Sequence, residues 1–284
     1  MKMLVTGSNG QLGSELRLIA EKNPAYEFIF TDYQELDITK ADEVDSFIKE
    51  LKPDYVINCA AYTAVDKAEQ EQETAMKLNA GAVEILAKAS ISNAFRLIHI
   101  STDYVFDGKN HKPYTTEDQV NPTGVYAKSK ALGERAAVIN PANIVIRTSW
   151  LYSAYGHNFV KTIRKAGKER GMLKVVADQI GSPTWAADLA TAILKMIEFD
   201  VPGGIYHFTN EGVCSWYDFA NAIVELSEIQ CKVNPTDTAG YPLPAPRPFY
   251  SVLDKSKYTT IVGEHPPYWR ESLKKCIALL NEQS

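Results

Sequence analysis

The sequence predicts an α/β protein with a Rossmann-type, doubly wound parallel sheet and a smaller C-terminal substrate-binding domain. Three observations carry this prediction. Short apolar runs rich in β-branched residues alternate with helical patterns through the first 150 residues, and such alternation gives right-handed βαβ crossovers. Three glycines separate the first strand from the first helix, as in dinucleotide-binding turns. The alternation then loosens beyond Trp150.

Five strands are predicted in the first half, each an apolar run of the kind that is buried on both faces of a parallel sheet. They are KMLVT (2–6), YEFIFTD (26–32), DYVINCAA (54–61), FRLIHIST (95–102) and NIVIRTS (143–149). The helices between them are QLGSELRLIAEKN (11–23), ADEVDSFIKELK (41–52) and a long stretch from Asp66 to Ser92. One face of the second helix carries the apolar residues Ala41, Val44, Phe47, Ile48 and Leu51.

The second half has fewer strands and a proline-rich segment. Helices are predicted at GHNFVKTIRKAGKERG (156–171), TWAADLATAILKMIEF (184–199), SWYDFANAIVELSE (215–228) and RESLKKCIALLNE (270–282), with strands at LKVVADQ (173–179) and GIYHFT (204–209). The segment NPTDTAGYPLPAPRP (234–248) has too many prolines for a helix or a central strand. We therefore predict a dinucleotide-binding domain at residues 1–150 and a substrate domain at residues 151–284, partly interleaved with the first.

Composition and charge argue against several classes of protein. A formal charge of −5 and a pI near 5.6 give no global electrostatic reason to expect nucleic-acid binding. The sequence has no run long enough to span a bilayer and no signal-peptide pattern at its start, so we expect a cytoplasmic protein that does not bind membranes. The four cysteines are scattered without metal-binding spacing, and reduced thiols are expected.

A glycine turn joins the first strand to the first helix, where LVTGSNGQLGSEL contains Gly7, Gly10 and Gly13. Glycine lets the backbone approach a pyrophosphate, whose charge then lies against free N–H groups at the positive end of the helix. The spacing is three and three, unlike the two and three of G-x-G-x-x-G. A purely structural tight turn is the alternative, and the βαβ setting favours the dinucleotide.

The end of the second strand offers a contact for the cofactor ribose. Asp32 lies about twenty residues beyond the glycines, where such a carboxylate is expected. A carboxylate there favours NAD, since it would repel a 2′-phosphate. Asp37 and Ile38 are placed to flank the adenine, although an N-cap for the helix that starts at Thr39 is an equally good interpretation of Asp37.

A tyrosine and a lysine four residues apart form the predicted catalytic pair. In GVYAKSKALGE, Tyr126 and Lys130 fall on one face of a helix. A free phenol has a pKa of about 10, and a nearby ammonium and a cationic nicotinamide in the oxidised state are expected to draw it downward. Thr102, at the end of the fourth strand, can hydrogen-bond the reacting oxygen. The alternatives are a half-buried tyrosine, a solvated lysine and a strand-end hydroxyl, and the upstream glycine turn favours the catalytic interpretation.

These motifs resemble those of the extended short-chain dehydrogenase/reductases, through the glycine turn, the Ser/Thr end of strand four and Y-x-x-x-K. Further matching segments are GQLGSEL, NCAAYTAVDKAE, STDYVFDG, YAKSKALGE, RTSWLY, NFVKTI, DQIGSPT and RPFYSVLD, so the resemblance covers nearly the whole chain. It is nearest to the members that reduce dTDP-linked sugars. It implies that NADH or NADPH reduces the C4 ketone of dTDP-4-dehydro-β-L-rhamnose.

The resemblance also implies roles for individual residues. Tyr126 is the expected proton donor, Lys130 its electrostatic partner and a ligand of the cofactor ribose, and Thr102 a contact of the sugar oxygen. The expected cofactor contacts are Gly7, Gly10, Gln11, Leu12, Gly13, Asp32, Asp37, Ile38, Ala61, Tyr62, Thr63, Tyr126 and Lys130. The expected substrate contacts are Thr102, Asp103, Trp150 and, for the nucleotide phosphates, Arg247. Asn79 resembles a structural asparagine that supports the catalytic helix.

The sequence gives weaker indications of metal binding and of oligomeric state than of the catalytic pair. Some relatives are magnesium-dependent homodimers, yet here Glu15 is the one carboxylate at an expected bridging position, and Ala187 stands where another is expected. The sequence thus supports no metal site, and none of the five histidines is assigned a role. Two rival functions stay open: a nucleotide-sugar 4-epimerase that retains its cofactor, and a non-catalytic regulatory subunit on the same fold.

Overall fold

A six-stranded sheet with all strands parallel forms the centre of the computed structural model, which describes residues 1–283. Its strands are β1 (Lys2–Thr6), β2 (Glu27–Thr31), β3 (Tyr55–Asn58), β4 (Arg96–Thr102), β5 (Ile144–Thr148) and β10 (Gly204–His207). The spatial order is β10-β5-β4-β3-β1-β2. The chain reverses its direction of winding between β1 and β3, and open α/β sheets bind ligands at such a point. The predicted fold class is confirmed.

Helices cover both faces of this sheet and fill the second half of the chain. They are α1 (Gln11–Lys22), α2 (Ala41–Leu51), α3 (Val65–Ala68), α4 (Gln72–Met76), α5 (Ala82–Ser92), α6 (Val125–Ala137), α7 (Phe159–Arg170), α8 (Ala186–Glu198), α9 (Trp216–Leu226), α10 (Ser256–Val262) and α11 (Trp269–Glu282). Within residues 1–283, no helix has both the length and the apolar character needed to cross a membrane.

The alternation of side chains along each strand builds two separate cores. Met3 and Val5 of β1 pack with α1 and α8 on one face, whereas Leu4 packs with α2 and α5 on the other. This follows because successive strand residues point to opposite faces. Both faces are apolar, as the near-continuous hydrophobic runs predict.

The helical stretch predicted from Asp66 to Ser92 is interrupted once, between α3 and α4, and from α4 it continues through a π-helical turn (Lys77–Gly81) into α5. Asn79 lies in the π-helical turn and is fully buried. Its side-chain amide donates to the Tyr62 carbonyl at 3.0 Å and to Ser129 Oγ at 3.0 Å. Helical periodicity cannot reveal such a turn, since π-helical turns arise where tertiary contacts favour them.

A third core lies beyond the main sheet. Helices α7, α9 and α11 pack around Tyr152, Phe219 and Leu273. A two-stranded parallel sheet borders this core, with β7 (Met172–Val176) paired to β12 (Lys232–Thr236). Four two-residue strands complete the chain: β6 (Leu151–Tyr152), β8 (Ile180–Gly181), β9 (Thr184–Trp185) and β11 (Cys214–Ser215).

The two halves of the chain exchange elements. Strand β10 pairs with β5 at the edge of the main sheet, and α8 packs against α1. The segment of residues 186–207 therefore contributes to the first core although it follows residue 150. The division into two domains at residue 150 stays a prediction.

Candidate active site

A cleft of about 1030 Å³ lies at the carboxyl ends of the sheet strands, where Thr6, Ser101 and Thr148 reach it. It brings together most of the residues singled out from the sequence. Those in its lining are Gly7, Gly10, Gln11, Leu12, Asp32, Asp37, Ile38, Ala61, Thr63, Thr102, Asp103, Tyr126, Lys130 and Trp150. Gly13, Tyr62 and Arg247 lie outside this lining and have other contacts.

The glycine turn is packed too tightly for side chains at two of its positions. Gly7 has φ +65°, and a Cβ there would lie 2.5 Å from the Ala60 nitrogen. A Cβ on Gly13 would lie 2.4 Å from Ser8 Cα, so Gly13 brings the helix against the turn. Gly10 immediately precedes α1, has no side-chain cap and lines the cleft. The amino end of α1 thus carries free N–H groups toward the cleft, an arrangement that suits a pyrophosphate.

Two aspartates lie at the far end of the cleft. Asp32 accepts hydrogen bonds from the Asn9 and Tyr33 nitrogens at 2.9 and 2.8 Å, one on each carboxylate oxygen. Asp37 accepts from the nitrogen and hydroxyl of Thr39 at 3.0 and 2.7 Å. Burial raises the pKa of Asp37, but the Thr39 hydrogen bonds and nearby lysines outweigh it, and the net pKa is lowered. Asp37 therefore both holds a turn and faces the cleft.

The predicted catalytic helix, α6, is held at its start and along one side. Glu69 Oε1 accepts a hydrogen bond from the Val125 nitrogen at 2.9 Å. Ser129 Oγ donates to the Tyr126 carbonyl at 2.8 Å and accepts from Asn79. Asn79 Oδ1 also accepts from the Tyr62 nitrogen at 2.8 Å. This network joins α6 to the loop after β3 and fixes how far Tyr126 reaches into the cleft.

Lys130 is only 2% exposed and lies beneath Tyr126. Its Nζ donates to the Ile100 carbonyl at 2.6 Å and lies 3.3 Å from His99 Nε2. Burial lowers the pKa of Lys130 to about 8, although the Glu134 carboxylate opposes the shift. Lysine burial of this degree is unusual for a surface helix and supports a functional role.

The Lys130 ammonium does not lower the pKa of Tyr126 as expected, whereas the lowering expected from an oxidised nicotinamide stays a prediction. Burial raises the pKa of Tyr126 to about 12, the Thr102 hydroxyl lowers it somewhat, and the Asp103 carboxylate raises it. The Lys130 ammonium is directed at the Ile100 carbonyl. Desolvation disfavours the phenolate, so Tyr126 stays a protonated acid at neutral pH.

Thr102 and Asp103 form a polar group beside Tyr126. Thr102 Oγ1 donates to Asp103 Oδ1 at 3.0 Å and accepts from the Tyr104 nitrogen at 3.2 Å. Burial raises the pKa of Asp103 to about 6, against hydrogen bonds that lower it. The cleft-lining atoms Gln11 Oε1, Ser101 Oγ and Thr148 Oγ1 are buried and have no hydrogen-bond partner among residues 1–283. Polar atoms of this kind suit a polar ligand.

Two tryptophans stack on each other in the lining of the cleft. The rings of Trp150 and Trp216 lie 3.7 Å apart with an interplanar angle of 12°, and both line the cleft. Trp150 has φ +49°, a left-handed conformation rare for a bulky residue. A Cβ on Gly181 would lie 2.7 Å from the Trp150 ring. Trp216 was not predicted as a site residue, because a tryptophan at the start of an apolar helix is typical of a core residue.

Arg247 forms a two-point ion pair with Asp66. Its Nη1 and Nη2 donate to the two carboxylate oxygens at 2.6 and 2.7 Å. The Arg247 side chain is 14% exposed and that of Asp66 is 38% exposed. The pair ties the proline-rich segment to α3, which contains Asp66, and the hydrogen bonds from Arg247 lower the pKa of Asp66.

Glu15 does not fit a metal site. It is 2% exposed, and its Oε1 accepts from Ser153 Oγ at 2.6 Å. Burial raises its pKa, so the ionised form that a magnesium ion needs is disfavoured. Over the described range 1–283, no three histidine, cysteine, aspartate or glutamate side chains are grouped to hold a metal. We derive no step through a metal.

Comparisons with known proteins agree with this geometry. Residues 1–282 match the model of the family described as the RmlD substrate binding domain. A relative from Aggregatibacter actinomycetemcomitans, named dTDP-4-dehydrorhamnose reductase, is 44% identical over 285 residues, which cover 96% of this chain and 97% of that protein.

Two solved structures are similar over almost their whole length. The crystal structure of a dTDP-4-dehydrorhamnose reductase from Clostridium acetobutylicum has a TM-score of 0.95 and 46% identity, and covers 99% of this chain and 100% of its own. That of the Bacillus anthracis dTDP-4-dehydrorhamnose reductase in complex with NADP has a TM-score of 0.94 and 39% identity, with 98% and 99% covered. The resemblance to the extended short-chain dehydrogenase/reductases is confirmed. The chain belongs to the family of the RmlD substrate binding domain.

Proposed function

We propose that this protein is an oxidoreductase that uses NADH or NADPH to reduce the C4 ketone of dTDP-4-dehydro-β-L-rhamnose, the last step of dTDP-L-rhamnose synthesis. One observation carries the proposal: a single cleft is lined by the glycine turn and by the Tyr126 and Lys130 pair. The names of the relatives support this substrate and this reaction.

The residues along the cleft suit a nicotinamide dinucleotide, which supplies a hydride when bound. The glycine turn and the amino end of α1 would hold its pyrophosphate, Asp32 its adenosine ribose, and Asp37 with Ile38 its adenine. Lys130 would contact the second ribose. The remaining proposed contacts are Gly7, Gly10, Gln11, Leu12, Gly13, Ala61, Tyr62 and Thr63.

Tyr126 is the proposed acid. Its raised pKa keeps the phenol protonated at neutral pH, so that it can give its proton to the sugar O4 as negative charge develops there. The Thr102 hydroxyl would donate a hydrogen bond to the same oxygen and stabilise that charge. Lys130 would then help to restore the proton of Tyr126.

Both halves of the chain supply the proposed binding surface for the nucleotide sugar. Asp103 and Trp150 would contact the sugar, and Arg247 the diphosphate. Arg247 is paired with Asp66, so it would exchange a carboxylate for phosphate oxygens when the substrate binds. Contacts of this kind, remote from C4, hold the reacting carbon in place. Of these contacts only Arg247 lies in residues 151–284, the proposed substrate domain.

Location and assembly are proposed on the same family resemblance. We propose a cytoplasmic enzyme that acts as a homodimer. The proposed absence of a bound metal rests instead on the buried, hydrogen-bonded Glu15 and on Ala187. Light scattering of the purified protein tests the dimer, and activity after treatment with a chelator tests the metal.

The decisive experiment measures oxidation of NADH and of NADPH by the purified protein with dTDP-4-dehydrorhamnose, and with the UDP-linked analogue as control. Turnover that needs the dTDP sugar and is lost in Tyr126→Phe supports the proposal. A protein purified with stoichiometric NAD that interconverts 4-epimers would instead be an epimerase. Absence of turnover with any 4-keto sugar would favour a regulatory subunit.

A further inference from the structure

A fully buried histidine lies directly behind the proposed catalytic lysine. His99, in β4, is 0% exposed. Its Nε2 is 3.3 Å from Lys130 Nζ, and its Nδ1 is 3.2 Å from the side-chain nitrogen of Asn58. The histidine therefore bridges the catalytic helix and the end of β3. Neither the sequence motifs nor the proposed reaction has assigned it a role.

The contacts of Asn58 determine which ring nitrogen of His99 carries the proton. Asn58 Oδ1 accepts from the Ala60 nitrogen at 3.2 Å and from Thr6 Oγ1 at 2.8 Å. A main-chain N–H can only donate, so the atom facing it must be the amide oxygen. The amide NH₂ then faces His99 Nδ1 and donates to it. Nδ1 is an acceptor, and the proton of the neutral ring is on Nε2.

The charge of His99 follows from its surroundings. Burial and the nearby Lys130 hold the pKa of His99 well below its usual value, so the ring is neutral at physiological pH. Its Nε2–H therefore points at Lys130 Nζ. An ammonium has donors only, so the two N–H groups oppose each other while Lys130 is charged. A hydrogen bond between them forms once Lys130 becomes an amine.

We infer that His99 is a positioning residue that favours the uncharged amine of Lys130 by donating a hydrogen bond to it. The inference rests on the proposed function and explains how Tyr126 regains its proton. The Tyr126 O–H bond breaks when O4 takes the proton. A water molecule in the cleft carries a proton from Lys130 Nζ to the phenolate, and the resulting amine accepts a hydrogen bond from His99 Nε2–H. Water then returns a proton to Lys130.

Other charged groups around Lys130 do not supply this effect. Glu134, one turn further along α6, stabilises the ammonium, and Arg147 of β5 holds both of its carboxylate oxygens. Asp103, in the turn after β4, and Tyr126 lie toward the cleft. His99 is thus the neighbour whose hydrogen-bonding pattern disfavours the charge on Lys130.

The test uses His99→Gln in the full-length protein. A glutamine can place its amide near the position of Nε2 and turn its oxygen toward Lys130, and so accept from the ammonium. We expect kcat at pH 7 to fall roughly threefold to tenfold. The alkaline limb of the kcat–pH profile should move upward by about one pH unit. An unmoved limb in an active variant overturns the inference.

The matched control is His207→Gln. His207, in β10, is also 0% exposed and neutral, but its ring faces Arg147 and the Asp254 carbonyl. This substitution should lower the melting temperature about as much as His99→Gln and leave the pH profile unmoved. A profile that shifts equally in both variants would reduce His99 to a purely structural residue.

A measurement independent of activity is nitrogen-15 NMR of histidine-labelled wild-type protein, with the His99 signal assigned by its loss in His99→Gln. The inference requires the Nε2–H tautomer at pH 7, and an Nδ1–H tautomer overturns it. The NMR result also stands apart from the proposed function. If the wild-type protein reduces no 4-keto sugar, the proposed function is wrong. The tautomer of His99 still shows the direction of the hydrogen bond between His99 and Lys130.

Discussion

The buried ion pair between Arg147 and Glu134 should be the most sensitive point beneath the cleft. Arg147 Nε and Nη2 donate to the two Glu134 oxygens at 2.8 and 2.7 Å. The two side chains are 2% and 5% exposed. Arg147→Met leaves the Glu134 carboxylate buried without this partner. We expect a loss of about 3–5 kcal/mol in the free energy of unfolding.

The double variant Arg147→Met/Glu134→Leu removes both charges. It therefore separates the net contribution of the pair to the free energy of unfolding from the cost of leaving one buried charge unpaired. Replacing both charges by apolar groups should return the free energy of unfolding to within about 1 kcal/mol of wild type. Lys130 will lose the Glu134 charge that favours its ammonium. The alkaline limb of the double variant's activity profile should therefore move to lower pH.

The assay is urea unfolding at pH 7, followed by tryptophan fluorescence and circular dichroism. The control is Glu84→Gln, which breaks the pair between Lys88 and Glu84, whose side chains are 68% and 49% exposed. Exposed pairs contribute little, so this variant should unfold like wild type. If Arg147→Met were as stable as Glu84→Gln, the reasoning about the buried pair would be refuted.

Four further predictions address the cleft. Tyr126→Phe should abolish reduction and leave the cofactor dissociation constant nearly unchanged in a fluorescence titration; retained turnover would remove Tyr126 from its role. Lys130→Met should weaken both cofactor binding and turnover, and an intact cofactor affinity would contradict the proposed ribose contact. Gly13→Ala should weaken cofactor binding by about tenfold or more, because its Cβ would lie 2.4 Å from Ser8 Cα and displace the turn; an unchanged dissociation constant would count against this packing. The pKa of Asp103 is raised from 3.8 to about 6, so the stability associated with its neutral form is present below about pH 4 and is lost as pH rises through 6. Asp103→Asn should therefore raise the melting temperature at pH 7.5 but not at pH 4, and an equal change at both pH values would contradict the raised pKa.

Local features of the sequence were sufficient for the first half of the fold. The strands β1 to β5 and the glycine turn are contiguous patterns, in which apolar runs and φ-permissive residues act over a few positions. Tyr126 and Lys130 are one helical turn apart, so their shared face also follows from spacing alone. These features could be predicted because their causes lie within one element or one turn.

Contacts between distant residues decided the rest. Asn79 of the π-helical turn donates a hydrogen bond to Ser129, and the Arg247–Asp66 pair joins the proline-rich segment to α3, 181 residues away along the chain. Strand β10 was predicted as a strand, but its place at the edge of the first sheet depends on pairing with β5. Periodicity shows which residues of one element share a face, but not which faces pack together. None of these partners could therefore be predicted from it.

The directions of the pKa shifts likewise depend on contacts between distant residues. The sequence by itself predicted that a Rossmann-type fold carries both a glycine turn and the Tyr126–Lys130 pair, because residue types and short spacings contain that information. Only the tertiary structure decided that Tyr126 is held protonated and that Lys130 faces His99. Desolvation and hydrogen-bond direction depend on everything packed around a group, and that environment exists only once the chain has folded.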